Sequence, residues 1–322
     1  MNPSPDARQV AAIERGQATY RWACELDVAV RKPGNVSRLS PGHGMQASQF
    51  SASARASVGP LFERGARVGD RIEAAVAATW EVAGCNTNLG ILLLCAPVAR
   101  AIELQTEASG PVRLRAAVET VLADLDVRDT RAAYRAIARA RPGGLGSAPA
   151  EDVHGMPNIG LRAAMALAAD RDSIAREYRD GFAELFELSA LAEGIRGSAQ
   201  PEPVEEALPP WASDLTVLAG ELDTPPSALN DIVQRVYLTV LASRPDSHIV
   251  RKHGTALAQS VMRSAQRWRA RALDGEHLDA DPAFADWDRE LKAAGLNPGT
   301  SADFTVAALF IAGLVSSSAV AS

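Results

Sequence analysis

Apolar residues recur at helical spacing along almost the whole chain. In the clearest stretch, seven of them mark one face after Pro225-Pro226, namely Leu229, Ile232, Val233, Val236, Tyr237, Val240 and Leu241. Intervals of three and four residues are typical of an amphipathic α-helix. Alternating apolar and polar runs joined by an Asn-Gly or Asp-Gly turn, the usual signal of a hairpin, are missing. The pattern therefore predicts an all-α protein.

The same spacing predicts where individual helices lie. It indicates helices at about 69–83, 112–126, 129–140, 161–193 and 227–243, with Asp129 and Ser227 as caps of two of them. Glycine and proline break the pattern at 141–146, and polar residues break it at 274–282. Four prolines among acidic residues predict an exposed loop at 194–210. We expect one large multi-helix globular domain over residues 1–322.

Composition narrows the classes of partner and compartment. The net charge is −6 and aromatic residues make up 5% of the chain. An acidic chain without a basic stripe is unlike a nucleic-acid-binding protein, although a local anion pocket is compatible with it. The three cysteines, Cys24, Cys85 and Cys95, lack C-x-x-C spacing. This odd number favours a reducing compartment over a disulfide framework or a thiolate zinc site.

Neither end of the chain predicts a membrane partner. The first six residues lack a basic region followed by an apolar run, so we expect no secretory signal and a cytoplasmic protein. Residues 304–322 are uncharged, but they include Thr305, Gly313 and three consecutive serines. Because a membrane span needs about 20 predominantly apolar residues, a buried C-terminal helix is the better interpretation.

Two polar segments interrupt the helical pattern in the first third of the chain. At Lys32-Pro33-Gly34-Asn35 a proline stops the preceding helix and a glycine lets the backbone turn, which places a lysine and an amide at one corner. This corner can hold a phosphate, but taken alone it is better explained by a lysine that complements a helix C-terminus. Asn86 and Thr87 precede Gly90 at the start of an apolar helix, where unpaired N–H groups suit an anion.

A third segment, 244–254, combines a carboxylate with basic residues. His248 and His253 are five positions apart, which does not align two ligands on a helix face, so a zinc pair is disfavoured. Asp246 as a single Mg²⁺ carboxylate, with Arg251 or Lys252 facing phosphate, fits hard-cation chemistry better. A solvated charged turn is the structural alternative.

The fourth segment, 296–304, precedes the C-terminal apolar run. Thr300 or Ser301 can cap the last helix, and Asp303 in its first turn would complement the dipole. The functional interpretation places Asp303 at a metal–phosphate site. The chain has no Gly-x-Ser-x-Gly elbow and no Gly-x-Gly-x-x-Gly after a strand, which argues against a hydrolase triad and a Rossmann cofactor.

In this order the four segments resemble the triphosphoribosyl-dephospho-CoA synthase family. The similar pieces are Glu25 followed by Lys32-Pro33-Gly34, then Gly84-x-Asn86-Thr87-x-x-Gly90, the Asp246 segment, and Pro298-Gly299-x-x-Ala302-Asp303. The stretch from His43-x-Met45 through Phe50 and Ser53 is also similar. The resemblance spans about residues 20 to 315. It implies an all-helical transferase that moves the triphosphoribosyl part of ATP onto dephospho-CoA and releases adenine.

The resemblance also implies roles for individual residues. Glu25, Asp246 and Asp303 would be catalytic carboxylates and Mg²⁺ ligands. The residues expected to contact substrate or phosphate are Lys32, Gly34, Asn35, Asn86, Thr87, Gly90, His248, Arg251, Lys252 and Ser301. Carboxylates suit the reaction because breaking an N-glycosidic bond builds an oxocarbenium-like centre, while Mg²⁺ and cations hold a polyphosphate.

Three departures from the family pattern indicate a divergent branch. Ser37 stands where the family usually has an acidic residue, His43-Gly44-Met45 lacks the usual aspartate, and Leu89 replaces a basic residue. Two alternatives therefore stay open. One is a related ribosyl-phosphate transfer to a pterin-like acceptor in methanopterin-type carrier biosynthesis, and the other is a non-catalytic nucleotide-binding or assembly protein on the same fold.

Overall fold

Helices supply the regular secondary structure of this computed structural model, which describes residues 4–104, 110–143, 155–198, 225 and 227–316. No β-strand forms within these ranges, which confirms the predicted all-α class. The helices are α1 (Pro5–Ala29), α2 (Ala47–Leu61), α3 (Val68–Ala83), α4 (Leu89–Leu104), α5 (Pro111–Ala123), α6 (Val127–Ala140), α7 (Leu161–Ala166), α8 (Ser173–Asp180), α9 (Ala183–Ser198), α10 (Ser227–Ser243), α11 (Ser247–His253), α12 (Thr255–Leu273), α13 (Pro282–Ala293) and α14 (Gly299–Ser316), with a 3₁₀ turn at Leu278–Ala280.

The two most apolar helices, α4 and α14, form the centre of the main core. Both are buried on nearly all sides, they contact each other, and α1 packs against both. A helix that is apolar all round is stable in water only when other elements cover it. Tyr20 of α1, Phe62 after α2 and Phe310 of α14 meet edge-to-face at centroid distances of 6.0–6.2 Å, which fixes these helices against one another.

A second apolar cluster lies under α10, α12 and α13. Trp268 stacks on Trp287 at 6.1 Å and meets Phe284 edge-on at 5.0 Å between centroids. Helix α10 faces both clusters, because Val233 and Val236 belong to the main core while Tyr237 and Leu241 belong to the second. This shared helix is consistent with the single domain expected over residues 1–322, which stays a prediction.

The long helix predicted over 161–193 is wrong. The chain forms three shorter helices there, α7, α8 and α9. Asp172 caps α8 by accepting a hydrogen bond from the Ala175 N–H at 3.1 Å, and Gly181 ends it with a φ of +68°. Apolar spacing continued across both breaks, so the periodicity alone did not show them. The first break matters for function because it creates a helix N-terminus at residue 173.

Other predicted boundaries need smaller corrections. Helix α6 is capped by Asp126 and not by Asp129, whose carboxylate accepts a hydrogen bond from the Gly69 N–H at 2.9 Å. Of the loop predicted at 194–210, residues 194–198 continue α9, and 199–210 lie outside the described residues, as do 144–146 of the predicted break at 141–146. Helix α14 begins at Gly299, so Ser301 lies inside its first turn and does not cap it.

The C-terminal apolar run is a helix as far as residue 316, and its residues from Phe304 to Val315 are buried, as predicted. Residues 317–322 lie outside the described residues. Among the helices of the described ranges, none has the length and apolar character needed to cross a membrane.

Candidate active site

A cavity of about 450 Å³ opens where α4, α8 and α14 begin. Its wall includes Gly90 from the first turn of α4, Ile174 from the first turn of α8, and Ala302 near the start of α14. The first N–H groups of a helix have no partner within the helix, and the dipole places partial positive charge there. Three positive helix ends therefore border one space, which favours an anionic ligand.

The Asp303 carboxylate reaches across this space to the start of α4. A side chain at Gly90 would overlap its Oδ2, so the glycine is required for this close approach. Within the described part of the chain no hydrogen-bond donor reaches the Asp303 carboxylate. Burial raises its pKa well above the usual range, and the nearby carboxylates of Asp27 and Asp246 raise it further.

Asp27, in the last turn of α1, adds a second carboxylate to the wall. The fully buried Lys32 places its Nζ 3.0 Å from Asp27 Oδ1 and donates a hydrogen bond to the Asp27 carbonyl oxygen. Burial raises the pKa of Asp27, and the Lys32 ammonium opposes that rise. The Lys-Pro-Gly corner thus supplies a counter-ion to a cavity carboxylate.

Several buried polar atoms of the wall have no hydrogen-bond partner among the described residues. They are Oδ1 of Asn35, Nδ2 of Asn88, Nε2 of His248, Nε of Arg251 and Oδ1 of Asp27, the last of which has an ion-pair partner. The Asn35 amide nitrogen is used, because it donates to Asn297 Oδ1 at 3.0 Å. Buried polar atoms are seldom left unpaired in native proteins, and a polar ligand in the cavity would supply partners for these atoms.

Basic side chains occupy the part of the wall near α8 and α11. Arg251 forms an ion pair with Asp172 at 2.5 Å, and both residues line the cavity. Burial lowers the pKa of His248 to about 3, and the positive charges of Lys252 and Arg251 contribute to the drop. His248 is therefore neutral at physiological pH, in a cation-rich environment suited to phosphate.

The structure places seven of the thirteen sequence-predicted site residues on the cavity wall. These are Asn35, Asn86, Thr87, Gly90, His248, Arg251 and Asp303. Asn86 caps α4 by accepting a hydrogen bond from the Leu89 N–H at 3.1 Å, and the Thr87 hydroxyl donates to Ser53 Oγ at 2.7 Å. The sequence-derived loop at 84–90 and the Asp303 segment therefore meet at one place, although they are far apart in the chain.

Glu25 does not line this cavity. Its Oε2 accepts hydrogen bonds from Arg38 at 2.7 Å and from the Ser51 hydroxyl at 2.9 Å, and Arg55 lies 3.8 Å from Oε1. On a helix, residues 25 and 27 point in different directions, so Asp27 and not Glu25 faces the cavity. The structure gives Glu25 an ion-pairing role between α1 and α2.

Asp246 and Ser301 also lie behind the wall, where they bind each other. The Ser301 N–H and hydroxyl donate to Asp246 Oδ2 at 2.7 and 2.8 Å. Asp246 Oδ1 accepts from the His248 and Ile249 N–H groups, so it caps α11. Four hydrogen bonds occupy this carboxylate, which joins the start of α11 to the start of α14 and positions Asp303 two residues further on.

The three remaining predicted residues, Lys32, Gly34 and Lys252, are placed near the cavity but not on it. Lys32 contacts Asp27, as described above. Gly34 has a φ of +84°, its N–H donates to Asp288 Oδ1 at 2.8 Å, and a side chain there would overlap Pro298. Lys252 is exposed, and its stem passes close to Gly143, which does line the cavity.

The predicted metal set of Glu25, Asp246 and Asp303 does not converge. Among the described residues no group of three His, Cys, Asp or Glu side chains could hold a metal ion. However, Mg²⁺ commonly binds through one or two carboxylates together with substrate phosphates. Asp303, without a hydrogen bond and beside the start of α4, fits this more limited role.

Sequence reasoning missed Asp27, Asn88 and Asp172, all of which line the cavity. A signal for Asp27 was present, since it is a charged residue inside the otherwise apolar end of a helix, five positions before Lys32. For Asp172 the signal was the cap pattern Asp172-Ser173 before an apolar run. Asn88 belongs to the polar loop at 84–90, from which only its neighbours were chosen.

Fold and site together define an all-helical protein with a cavity that is lined by carboxylates and cations and bordered by helix starts. A family model described as ATP:dephospho-CoA triphosphoribosyl transferase matches residues 13–224 and 211–320. The chain therefore belongs to this transferase family, and it is an enzyme of the triphosphoribosyl-dephospho-CoA synthase type. A search of curated proteins gives no match.

A solved structure supports the fold. It is a crystal structure from Archaeoglobus fulgidus, described as that of a candidate triphosphoribosyl-dephospho-CoA synthase, with a TM-score of 0.57 and 20% sequence identity. The match covers 83% of this chain and 98% of that chain. At this identity the similarity shows the shared helical architecture. Neither the pterin-acceptor alternative nor the non-catalytic alternative receives support from these comparisons.

Proposed function

We propose that this protein transfers the triphosphoribosyl group of ATP to dephospho-CoA and releases adenine. The observation that carries the proposal is the meeting of three helix N-termini, Arg251 and the Asp303 carboxylate around one cavity. Positive helix ends and a cation suit a triphosphate, and the Asp303 carboxylate suits the Mg²⁺ ion that accompanies a triphosphate.

The reaction exchanges one bond at the ribose of ATP for another. The bond between C1′ and adenine N9 breaks, and a bond forms between C1′ and a hydroxyl oxygen of the acceptor. The proton lost by that hydroxyl ends on adenine, so the exchange needs no other reactant. Its transition state carries oxocarbenium-like positive charge at C1′, which a carboxylate in a fixed position stabilises.

We assign the triphosphate to the start of α4. The Gly90 backbone contributes its N–H group there, Asn86 and Thr87 border it, and Arg251 supplies a positive charge on the cavity wall. Mg²⁺, when bound, would neutralise the polyphosphate, and Asp303 is the carboxylate that would hold it. Gly90 keeps Asp303 close enough to this helix start to do so.

The acceptor is assigned to the apolar part of the wall. Helices α6, α7 and α8 contribute uncharged side chains there, namely Tyr134, Ile137, Ala164, Met165, Ile174 and Ala175. An acceptor with a long uncharged arm, as in dephospho-CoA, buries that arm favourably against such a surface. Its reacting hydroxyl then lies toward the polar end of the cavity.

The test is an incubation of the purified protein with ATP, dephospho-CoA and Mg²⁺, followed by chromatography for adenine. We expect adenine and triphosphoribosyl-dephospho-CoA in equal amounts. Adenine should fall to the background level when dephospho-CoA is omitted. Absence of adenine with Mg²⁺, Mn²⁺ and Co²⁺ alike would reject the assignment of ATP as donor.

A further inference from the structure

Asp27 and Lys32 form a buried ion pair beside the cavity, and only the carboxylate is on the wall. Asp27 is 3% exposed and Lys32 is 0% exposed. The Lys32 ammonium contacts Asp27 twice, through the carboxylate at 3.0 Å and through the carbonyl oxygen at the end of α1. Both contacts of the ammonium are therefore with Asp27, on the side of Asp27 that faces away from the cavity. Lys32 itself does not line the space where a substrate phosphate would lie.

The corner that contains Lys32 is itself firmly held. The Tyr237 hydroxyl donates to the Pro33 carbonyl at 2.7 Å, and the Gly34 N–H donates to Asp288. These contacts tie the corner to α10 and α13, so the position of the ammonium is set by three elements. A fixed positive charge behind a carboxylate orients that carboxylate without blocking its outer face.

Asp27 and Asp303 come from helices that pack together, α1 and α14, and both carboxylates line the same cavity. Asp303 has no ion-pair partner in the described part of the chain, whereas Asp27 has Lys32. The two carboxylates are therefore not equivalent. Asp303 is available to a Mg²⁺–triphosphate complex, while Asp27 carries a permanently placed counter-ion on its far side.

We propose that Asp27 is a second carboxylate of the reaction site, facing the ribosyl group, and that Lys32 is a positioning residue that holds it there. The inference rests on the proposed function. It assigns to Asp27 the stabilisation of positive charge at C1′, and it removes Lys32 from the set of phosphate ligands. The Lys-Pro-Gly corner then serves to build a carboxylate site.

Four variants separate this role from a purely structural one: Asp27→Asn, Lys32→Met, the double variant D27N/K32M, and Lys32→Arg. Each of the first two leaves a buried charge without its partner, so we expect a drop in melting temperature of about 5 °C or more. The double variant removes both charges and should recover most of that loss. Lys32→Arg keeps the charge and should retain measurable turnover.

Turnover distinguishes the catalytic role from the structural one, because we expect the double variant to fold while it lacks the Asp27 carboxylate. We expect kcat for adenine release to fall about 100-fold or more in D27N and in D27N/K32M, with KM for ATP within about threefold of the wild type. K32M should also have a lower kcat and an unchanged affinity for ATP. The matched control is R71M/E103Q, which disrupts a buried ion pair away from the cavity and should leave kcat and KM unchanged in the folded protein.

Two results would overturn the inference. A D27N/K32M protein with near wild-type stability and near wild-type kcat would show that the pair is structural. If the KM of K32M for ATP rises tenfold or more while kcat is unchanged, Lys32 is a phosphate ligand and not a positioning residue. Failure of the proposed function is distinguishable, because the wild-type protein itself would then release no adenine, and the catalytic assignment of Asp27 would fall with it.

Discussion

Two sets of buried charged groups in this protein are organised in opposite ways. Arg71, 1% exposed, donates to the carbonyls of Leu61 and Ala66 and to the Glu103 carboxylate, which also accepts from Arg100 and from the Gly65 N–H. Every polar atom of these two side chains has a partner. Around the cavity, by contrast, five polar atoms of the lining side chains have no hydrogen-bond partner among the described residues, and no hydrogen bond or ion pair within those residues reaches the Asp303 carboxylate.

The difference separates stability from function. A buried network that satisfies all its members holds elements together and leaves nothing for a ligand. A cluster of unsatisfied groups costs folding free energy, and natural proteins retain such clusters mainly where a ligand completes them. We therefore expect changes in the first set to alter unfolding and changes in the second to alter turnover.

The largest effect should come from breaking the satisfied network. Arg71→Met leaves the Glu103 carboxylate buried with a single remaining cation, Arg100, and should cost about 3–5 kcal/mol of unfolding free energy. Urea unfolding of the variant and the wild type measures this. Adenine release per folded molecule should be unchanged. A cost below about 1 kcal/mol would mean that the network contributes little to stability.

Asp303→Asn tests the other set. Because the side chain keeps its size and loses a carboxyl group whose charged form is disfavoured by burial, we expect the melting temperature to stay the same or rise. Adenine release should fall about 100- to 1000-fold. Asp288→Asn is not a suitable control, because the Asp288 carboxylate accepts a hydrogen bond from the Gly34 N–H. The control is therefore Glu25→Gln, which changes a carboxylate away from the cavity wall. Retention of activity within threefold in D303N would contradict the site assignment.

Gly90→Ala is a smaller perturbation of the same region. The added methyl group would overlap the Asp303 carboxylate and also lie close to Ile174, so the carboxylate must shift away from the start of α4. We expect kcat to fall about tenfold or more, since small displacements of reacting groups reduce rates strongly. Gly59→Ala, which has open space around it, is the matched control. Equal activity of the two variants would refute the close-approach argument.

The smallest effect concerns pH. The pKa of His248 is lowered from 6.5 to about 3 in the folded protein, chiefly by burial, so the unfolded chain binds an extra proton between these values. Stability from this group is therefore present above pH 6.5 and lost as the pH falls, by about 2 kcal/mol at pH 5. His248→Gln should flatten this part of the stability profile in denaturant titrations. An unchanged slope between pH 7 and 5 would contradict the assignment.

The helical class and several helix positions could be predicted because apolar spacing is a local signal. Residues 69–83 and 227–243 form helices almost as predicted, at Val68–Ala83 and Ser227–Ser243. The predicted helix at 161–193 was wrong because Asp172 starts a new helix and Gly181 ends it, and neither residue interrupts the apolar pattern. A cap and a left-handed glycine depend on backbone geometry, which spacing does not record.

The site was predictable where polar residues interrupt an apolar helix, as at Asn86, Gly90 and Asp303. It was not predictable where the role of a residue depends on which way its side chain points. Glu25 and Asp27 are two positions apart on α1, and only the packing of α1 against α4 and α14 decides which of them faces the cavity. Asp246 shows a further limit, since a carboxylate beside basic residues proved to be saturated by backbone and serine donors.

A crystal structure of the protein with ATP and Mg²⁺ tests the central claim most directly. We predict that the triphosphate lies at the start of α4, that Mg²⁺ joins it to Asp303, and that ligand atoms come within hydrogen-bonding distance of Asn35, Asn88 and His248. A nucleotide bound outside the cavity, with Asn35 Oδ1, Asn88 Nδ2 and His248 Nε2 still unpaired, would contradict the account.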